Sequence, residues 1–263
     1  MAIFDAVMKI ATYNLNGIRS AINKGWMEWL KQMDLDIICV QELKAQDEQI
    51  DFNAFQEMGY HLCTAVAEKK GYSGVAIFSK QQPDAVVVGC DNPDYDKEGR
   101  VIRADFGDLS VLSIYFPSGT TGDIRQSVKY AFLDYLFDYL QELRATRTRL
   151  VICGDYNIAH REIDIHDPRG NKNSSGFLPE ERAWMDKWFA SGYTDSLRHV
   201  NEAPHQYTWW SFRANARANN KGWRIDYISV TDNLKEAIRS AAILPDAVHS
   251  DHCPMVLELA TEA

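Results

Sequence analysis

The sequence predicts an α/β protein whose central strands are covered on both faces. Three observations carry this. Ile37–Val40 and Leu150–Cys153 are unbroken apolar runs, and a short continuous run marks a strand buried on two sides, where alternation would mark one wet face. Helical spacing recurs between such runs, at Trp26, Trp29, Leu30 and Met33 and again from Val128 through Phe132, Leu136 and Leu140 to Leu143. Gly107-Asp108 separates two further apolar stretches by a two-residue turn, the signal of a hairpin.

In order, Met8–Tyr13 reads as a strand that ends in Asn14-Leu15-Asn16-Gly17. Lys24–Gln32 is an amphipathic helix with its tryptophans in the core. Asp36–Glu42 is the first enclosed strand, Asp47–Met58 a helix and Gly74–Ser79 a strand. Arg100–Phe106 and Leu109–Phe116 form the hairpin. The longest helix follows, with Arg144, Arg147 and Arg149 at and beyond its end, where cations suit the helix dipole. Leu150–Cys153 is the second enclosed strand, ended by Gly154. His160–Phe177 is a long polar loop, a length that usually marks a functional segment. Glu180–Ala190 is a helix, Tyr207–Trp210 a short strand, Arg224–Val230 a strand and Met255–Leu259 the last one. "Buried strand, then acid" occurs twice, which hints at two similar halves.

The 263 residues carry 28 Lys+Arg against 37 Asp+Glu, a net charge of −9. That disfavours a protein held to nucleic acid by bulk charge, yet leaves room for an enzyme with a local basic face. Five scattered cysteines without a CxxC pair argue against zinc and redox motifs and for a reducing cytoplasm. No apolar run is long enough to span a membrane. Residues 1–7 carry Asp5 and lack a basic start, so they read as an extension rather than a signal peptide; residues 8–263 read as a single domain.

Chemistry-bearing residues gather at strand ends. Asp155 and Asn157 follow the second enclosed strand two residues apart and so share a side, although Gly-Asp-x-Asn is also good turn chemistry. Glu42 closes the first enclosed strand and needs a partner, either a bound cation or Lys44. Tyr115 ends the hairpin, Asp226 opens a strand between apolar neighbours, and Asp251-His252 precede the last strand. Asn14 and Asn16 complete the set. Carboxylate and amide oxygens are hard ligands, suited to Mg²⁺ or Mn²⁺ rather than zinc. Between Ala203 and Ile225 there is no acid, while Arg213, Arg217, Lys221 and Arg224 interleave with Trp209, Trp210, Phe212 and Trp223. This suits phosphate contacts beside an apolar wedge or pocket. No nucleotide-binding glycine loop is present.

Five blocks in order, TYNLNGIRS at 12–20, VQELKA at 40–45, GDYNIAH at 154–160, GWRIDY at 222–227 and SDHCP at 250–254, resemble the exonuclease III family of apurinic/apyrimidinic endonucleases, within the endonuclease/exonuclease/phosphatase superfamily. The resemblance runs from Met8 onward. It implies a four-layer α/β sandwich, two mixed β-sheets face to face with helices outside. It also implies Mg²⁺-dependent cleavage of double-stranded DNA on the 5′ side of an abasic site, with 3′-to-5′ exonuclease and 3′-end trimming, Mn²⁺ also supporting activity.

Residue by residue, the resemblance puts Glu42 on the principal metal carboxylate and Asn14 and Asn16 on supporting metal positions. Asp155 falls on the residue that orients or deprotonates water, Asn157 and Tyr115 on phosphate and leaving-group contacts, and Asp226 on the orienter of His252. Asp251 lies by the metal and the leaving oxygen; Asp155, Asn157 and His252 also belong to the metal environment. Trp209, Trp223 and Ile225 form the pocket for an extruded abasic sugar, and Arg169, Asn171, Lys172 and Arg213 contact the DNA. A monomer of bacterial type, cytoplasmic and at the nucleoid when acting on DNA, is expected. Two other readings compete: a non-catalytic binding relative, disfavoured by the intact acidic set, and a hydrolase of lipid or inositol phosphates, disfavoured by the aromatic and basic loop.

Overall fold

The computed structural model describes residues 7–261. The chain runs β1 (Val7–Asn14), α1 (Ile18–Asn23), α2 (Trp26–Met33), β2 (Ile37–Gln41), α3 (Phe52–Glu57), β3 (His61–Ala65), β4 (Val75–Ser79), β5 (Ala85–Val88), α4 (Pro93–Asp96), β6 (Val101–Phe106) and β7 (Leu109–Tyr115). It continues through α5 (Asp123–Thr146), β8 (Arg149–Asp155), α6 (Pro179–Ala190), β9 (Tyr193–Asp195), α7 (Ser196–Val200), β10 (Asp226–Thr231), β11 (Ile238–Ile243) and β12 (Met255–Ala260).

These strands make two six-stranded sheets, in the orders β11-β12-β1-β2-β4-β3 and β5-β6-β7-β8-β10-β9. Each is mixed, with one parallel pair at its centre, β1 with β2 and β7 with β8. The layers follow from the enclosed runs. Ile37 and Cys39 of β2 face Val151 and Cys153 of β8 in the core between the sheets. Ile38 and Val40 point the other way, onto Trp26, Leu30 and Phe55 of the first helical layer. Leu150 and Ile152 point onto Phe132, Leu136, Leu140, Met185 and Trp188 of α5 and α6. Each such side chain contributes roughly 1.5–3 kcal/mol by leaving water. The fold is the four-layer sandwich that the resemblance implies.

Local chemistry sets the helix bounds. The α2 helix is flanked by Gly25 and Asp34, both left-handed, and buries Trp26 and Leu30 one turn apart. The 24-residue α5 buries a stripe of Phe132, Leu133, Leu136 and Leu140, and the same stripe begins with a lysine, Lys129. Arg144, Arg147 and Arg149 bond to the Ser191, Gly107 and Leu109 carbonyls and to Asp108, so they tie loops to the helix end.

Several expectations need correction. The two sheets are not two halves of the sequence: β11 and β12 return from the C-terminal end to the first sheet, where Val7 pairs with Ala260. The expected extension therefore overlaps β1 at Val7, and residues 1–6 lie outside the described residues. Gly154 lies within β8 rather than ending the strand, and is glycine because a Cβ would collide with the Ile114 carbonyl of β7. Asp47–Met58 is two pieces, a 3₁₀ turn at Asp47–Gln49 and α3, separated by extended Ile50 and capped by Asp51. Tyr207–Trp210 forms only isolated bridges, Trp209 to Trp223 and to His252. The short strands β3, β5, β9 and β11 were not expected; at three to six residues, each carries too few positions to show a period.

Candidate active site

The ends of the two parallel pairs meet at one edge of the sandwich. Asn14 ends β1, Glu42 follows β2, Tyr115 ends β7, Asp155 ends β8 and Asp226 opens β10. Tyr115, Asp155 and Asp226 are direct cross-strand neighbours. Chain turns hold the donors in place. Glu42 has φ 53°, which costs an L-residue about 1–2 kcal/mol, and it is held by Gly17 N–H to its carbonyl at 2.8 Å and by Leu43 N–H to Gly74 O at 3.0 Å. Asn16 and Asn157 are left-handed too, at φ 48° and 53°.

One amide joins the two sheets: Asn14 Nδ2 donates to Glu42 Oε1 at 2.8 Å and to Asp155 Oδ2 at 2.9 Å. Asn16 accepts from Lys44 Nζ at 2.5 Å and donates to Asp251 Oδ1 at 2.9 Å. Lys44 also pairs with Glu42 Oε2 at 2.7 Å. The partner of Glu42 is therefore Lys44 on one oxygen, while its other oxygen faces the site. Asp155 Oδ1 accepts from Asn157 N–H at 2.9 Å, and Asn157 Nδ2 donates to Phe116 O at 3.0 Å. Ligand atoms of Glu42, Asp155 and His252 lie within 4.8 Å of one another. The Glu42 and Asp155 carboxylates are hard oxygen donors that fit a divalent cation, while the neighbouring Asn14 turns its Nδ2 toward them and the Asn16 Oδ1 is taken by Lys44.

His252 Nδ1 and Asp226 Oδ2 are 2.9 Å apart, and His252 Nε2 lies 4.0 Å from Asp155 Oδ2. Burial alone would push the His252 pKa down, but the Asp226 carboxylate overrides it, helped by Asp155 and Asp251, and the pKa rises to about 10. Asp155 is raised well above the ordinary carboxylate range, first by burial and then by the charges of Asp226 and Glu42. Burial and the same acids, Glu42 and Asp155, push the Tyr115 phenol up, so it stays protonated. Thr208 Oγ1 accepts from Ile225 and Asp226 N–H at 3.1 Å, fixing the start of β10.

A cavity of about 720 Å³ opens over these groups. Glu42, Tyr115, Asp155, Asn157, Asp251 and His252 line one part of it, and Trp209, Trp223 and Ile225 another. Trp209 and Trp223 meet edge to face at 6.1 Å, and Trp209 Nε1 donates to Asp251 Oδ2 at 3.0 Å. Asn171 lines the cavity, whereas Arg169, Lys172 and Arg213 are exposed outside its lining. The basic loop divides. Arg213 and Lys221 face solvent. Arg217 is spent on the Ser250, Pro245 and Ala247 carbonyls, and Arg224 is buried between Asp164 and Asp195. Those two arginines build the loop rather than present charge. The Lys44 alternative for Glu42 holds, whereas the sequence reading missed Thr208 and Lys129; Lys129, a cation on an apolar helix stripe, was the legible signal.

The sequence and the fold match known proteins. Residues 11–252 match the Endonuclease/Exonuclease/phosphatase family. The chain is 42% identical to an exodeoxyribonuclease of Bacillus subtilis, over 95% of this chain and 98% of that protein. It is 37% identical to the DNA repair nuclease APEX1 of Danio rerio, over 97% and 83%. The structure of an AP endonuclease from Archaeoglobus fulgidus superposes with a TM-score of 0.88 at 33% identity, covering 96% of this chain and 99% of that one. With strand-end acids converging as this chemistry requires and similarity along nearly its whole length, the chain belongs to the endonuclease/exonuclease/phosphatase family.

Proposed function

We propose that this protein is a DNA-repair nuclease that hydrolyses the phosphodiester 5′ to an abasic site in duplex DNA, and that it also removes nucleotides and blocking groups from 3′ ends. The observation that carries this is the junction of an acidic, imidazole-bearing centre with an aromatic pocket in one cavity. The similarity to an exodeoxyribonuclease, a DNA-repair nuclease and an AP endonuclease supports it.

A diester resists attack because its anionic oxygens repel the nucleophile. The chain supplies the answer in separate parts. The Nε2–H of His252, kept charged by Asp226, donates to a non-bridging phosphate oxygen, and the Tyr115 hydroxyl donates to another. Asp155, held by Asn14 and by the Asn157 main chain, accepts a proton from water as the water oxygen bonds to phosphorus. The bond from phosphorus to the 3′ oxygen breaks, and that oxygen leaves as a hydroxyl after taking up a proton. General-base help of this kind contributes typically ~10²–10⁴-fold. Glu42, Asp155 and Asp251, with Asn16 beside them, would hold a divalent cation, which supplies charge neutralisation at the phosphate when bound. Mg²⁺ is the ion we assign, with Mn²⁺ as a substitute, because the donors are oxygens.

Trp209, Trp223 and Ile225 take the extruded sugar. An abasic nucleotide has no base to unstack, so it leaves the helix at low cost, and the two indoles restrict the space for an intact nucleotide. Arg169, Lys172 and Arg213 are exposed, as cations that contact flanking phosphates must be. We assign a monomeric protein that works at cytoplasmic DNA in a bacterial-type cell; no described helix is long and apolar enough to cross a membrane.

The test is a labelled duplex carrying one stable abasic-site analogue, incubated with Mg²⁺ or with EDTA beside an intact duplex. A single Mg²⁺-dependent cut 5′ to the lesion, with the intact duplex spared at early times, is the expected result. Cleavage of soluble inositol phosphates or phospholipids in preference to either duplex would overturn the substrate assignment.

A further inference from the structure

Beneath the catalytic edge, two opposite charges lie in the helical layer with no access to solvent. Lys129 of α5 and Glu181 of α6 are both 0% exposed, and Nζ and Oε1 are 2.5 Å apart. Burying an ion pair rarely stabilises a fold more than apolar packing would, and the rest of this α5 stripe is apolar. The pair therefore needs another reason, and its remaining bonds supply one.

Lys129 Nζ also donates to the main-chain oxygen of Asn157 at 2.7 Å. Asn157 is the left-handed residue whose N–H holds Asp155. Glu181 Oε2 accepts from the N–H groups of Gly176 and Leu178 at 2.6 and 3.0 Å. Gly176 is itself wedged. A Cβ there would come within 3.0 Å of both the Asn157 oxygen and the Trp223 ring, and the Gly176 carbonyl accepts from Ala159 N–H at 2.8 Å. Gln126 completes the set, donating to Glu181 Oε1 at 3.0 Å and accepting from Ser175 Oγ at 2.6 Å. One ion pair thus fixes a residue beside the reacting phosphate and, through Gly176, the segment that backs the pocket wall.

We propose that Lys129 and Glu181 are positioning residues that hold Asn157, and through it Asp155, in register with the Trp223 wall of the sugar pocket. The inference rests on the nuclease reading above. It predicts that the pair matters for turnover more than for stability or for DNA affinity. Lys129→Met with Glu181→Gln removes both charges together, so no lone charge is left buried, and the glutamine oxygen can still accept from Gly176 and Leu178.

The experiment compares this double variant with wild type on the abasic duplex, reading kcat, KM and thermal midpoint. The expected result is a thermal midpoint within a few degrees of wild type, a KM within about threefold, and a kcat lowered by up to about 10²-fold, the scale of an ångström-sized misplacement. If kcat stays within twofold of wild type in the folded double variant, the pair is merely structural and the proposal is overturned. A double variant that loses activity only in proportion to lost stability or to raised KM also overturns it. Wild type that fails to cut the duplex would instead refute the nuclease reading, so the two failures are distinguishable. Should the double variant not fold, Lys129→Met and Glu181→Gln are each compared with wild type: a kcat within twofold of wild type in both folded variants contradicts the assignment, and a kcat lowered more than twofold in either, with KM and thermal midpoint near wild type, supports it.

Discussion

Asp226 and His252 share a bond of 2.9 Å between Oδ2 and Nδ1, with both side chains enclosed. The other Asp226 oxygen, Oδ1, has no hydrogen-bond partner among the described residues. The carboxylate is therefore committed to one ring nitrogen. It orients the ring, with His252 lining the cavity, and favours its charged form, in which both ring nitrogens carry a proton. Asp226→Asn keeps the shape and removes the charge, and it should lower kcat by about 10²–10⁴-fold, the range found where an orienting acid of a catalytic histidine is neutralised. DNA affinity, measured by filter binding, should change by less than a few fold.

Asp155→Asn should keep duplex binding and lose cleavage by about 10²–10⁴-fold, because the side chain keeps its shape but cannot take a proton, and its single oxygen can accept from only one of Asn14 Nδ2 and the Asn157 N–H. Single-turnover kinetics on the abasic duplex checks this. Rates near wild type would remove Asp155 from its role.

Trp223→Ala should open the pocket. Trp223 lines the cavity beside Trp209 and Ile225 and is half-buried. The predicted change is in selectivity, with the ratio of abasic to intact-duplex cleavage falling by at least about tenfold, since losing a hydrophobic pocket contact is worth ~1–3 kcal/mol of discrimination. Competition between the two duplexes in one tube measures the ratio directly.

Stability should fall in acid through Asp164. Burial alone would raise this carboxylate's pKa, but Arg224 and Arg198 override it and hold it below the ordinary carboxylate range. A depressed folded-state pKa contributes stability that is fully present above the unfolded value near ~4 and is lost as pH falls below it. Asp164→Asn should remove this contribution at neutral pH and cost about 3–5 kcal/mol, because buried Arg198 loses its carboxylate partner and buried Arg224 one of its two. Urea titrations of both proteins at neutral pH and in acid give the difference, which should shrink as the pH drops.

Much of this was readable from the chain. The runs at Ile37–Val40 and Leu150–Cys153 announced strands covered on both faces, and the acids after them announced the catalytic edge. Three kinds of feature were not readable. Pairing across the sheets depends on contacts far apart in sequence, so the return of β12 to β1 left no local mark. The short edge strands are made by their neighbours rather than by their own pattern. Charged residues carry no label for where their charge goes: Arg213 and Arg224 look alike in the sequence, yet one faces solvent and the other is enclosed by Asp164 and Asp195. Lys129 shows the reverse case: it was passed over, although a cation on an apolar stripe is a mark of a buried partner, here Glu181.

In the proposed reaction water attacks phosphorus and the 3′ oxygen leaves. The direct test is to cleave, in ¹⁸O-water with Mg²⁺ present, a duplex carrying a natural, aldehyde-bearing abasic site. Hydrolysis at phosphorus puts one ¹⁸O atom in the 5′-phosphate of the abasic fragment and leaves an unlabelled 3′-hydroxyl on the other strand piece. Cleavage that proceeds in EDTA, leaves an unsaturated sugar aldehyde on the 3′ end and carries no ¹⁸O in phosphate would contradict it, because that pattern is β-elimination rather than hydrolysis.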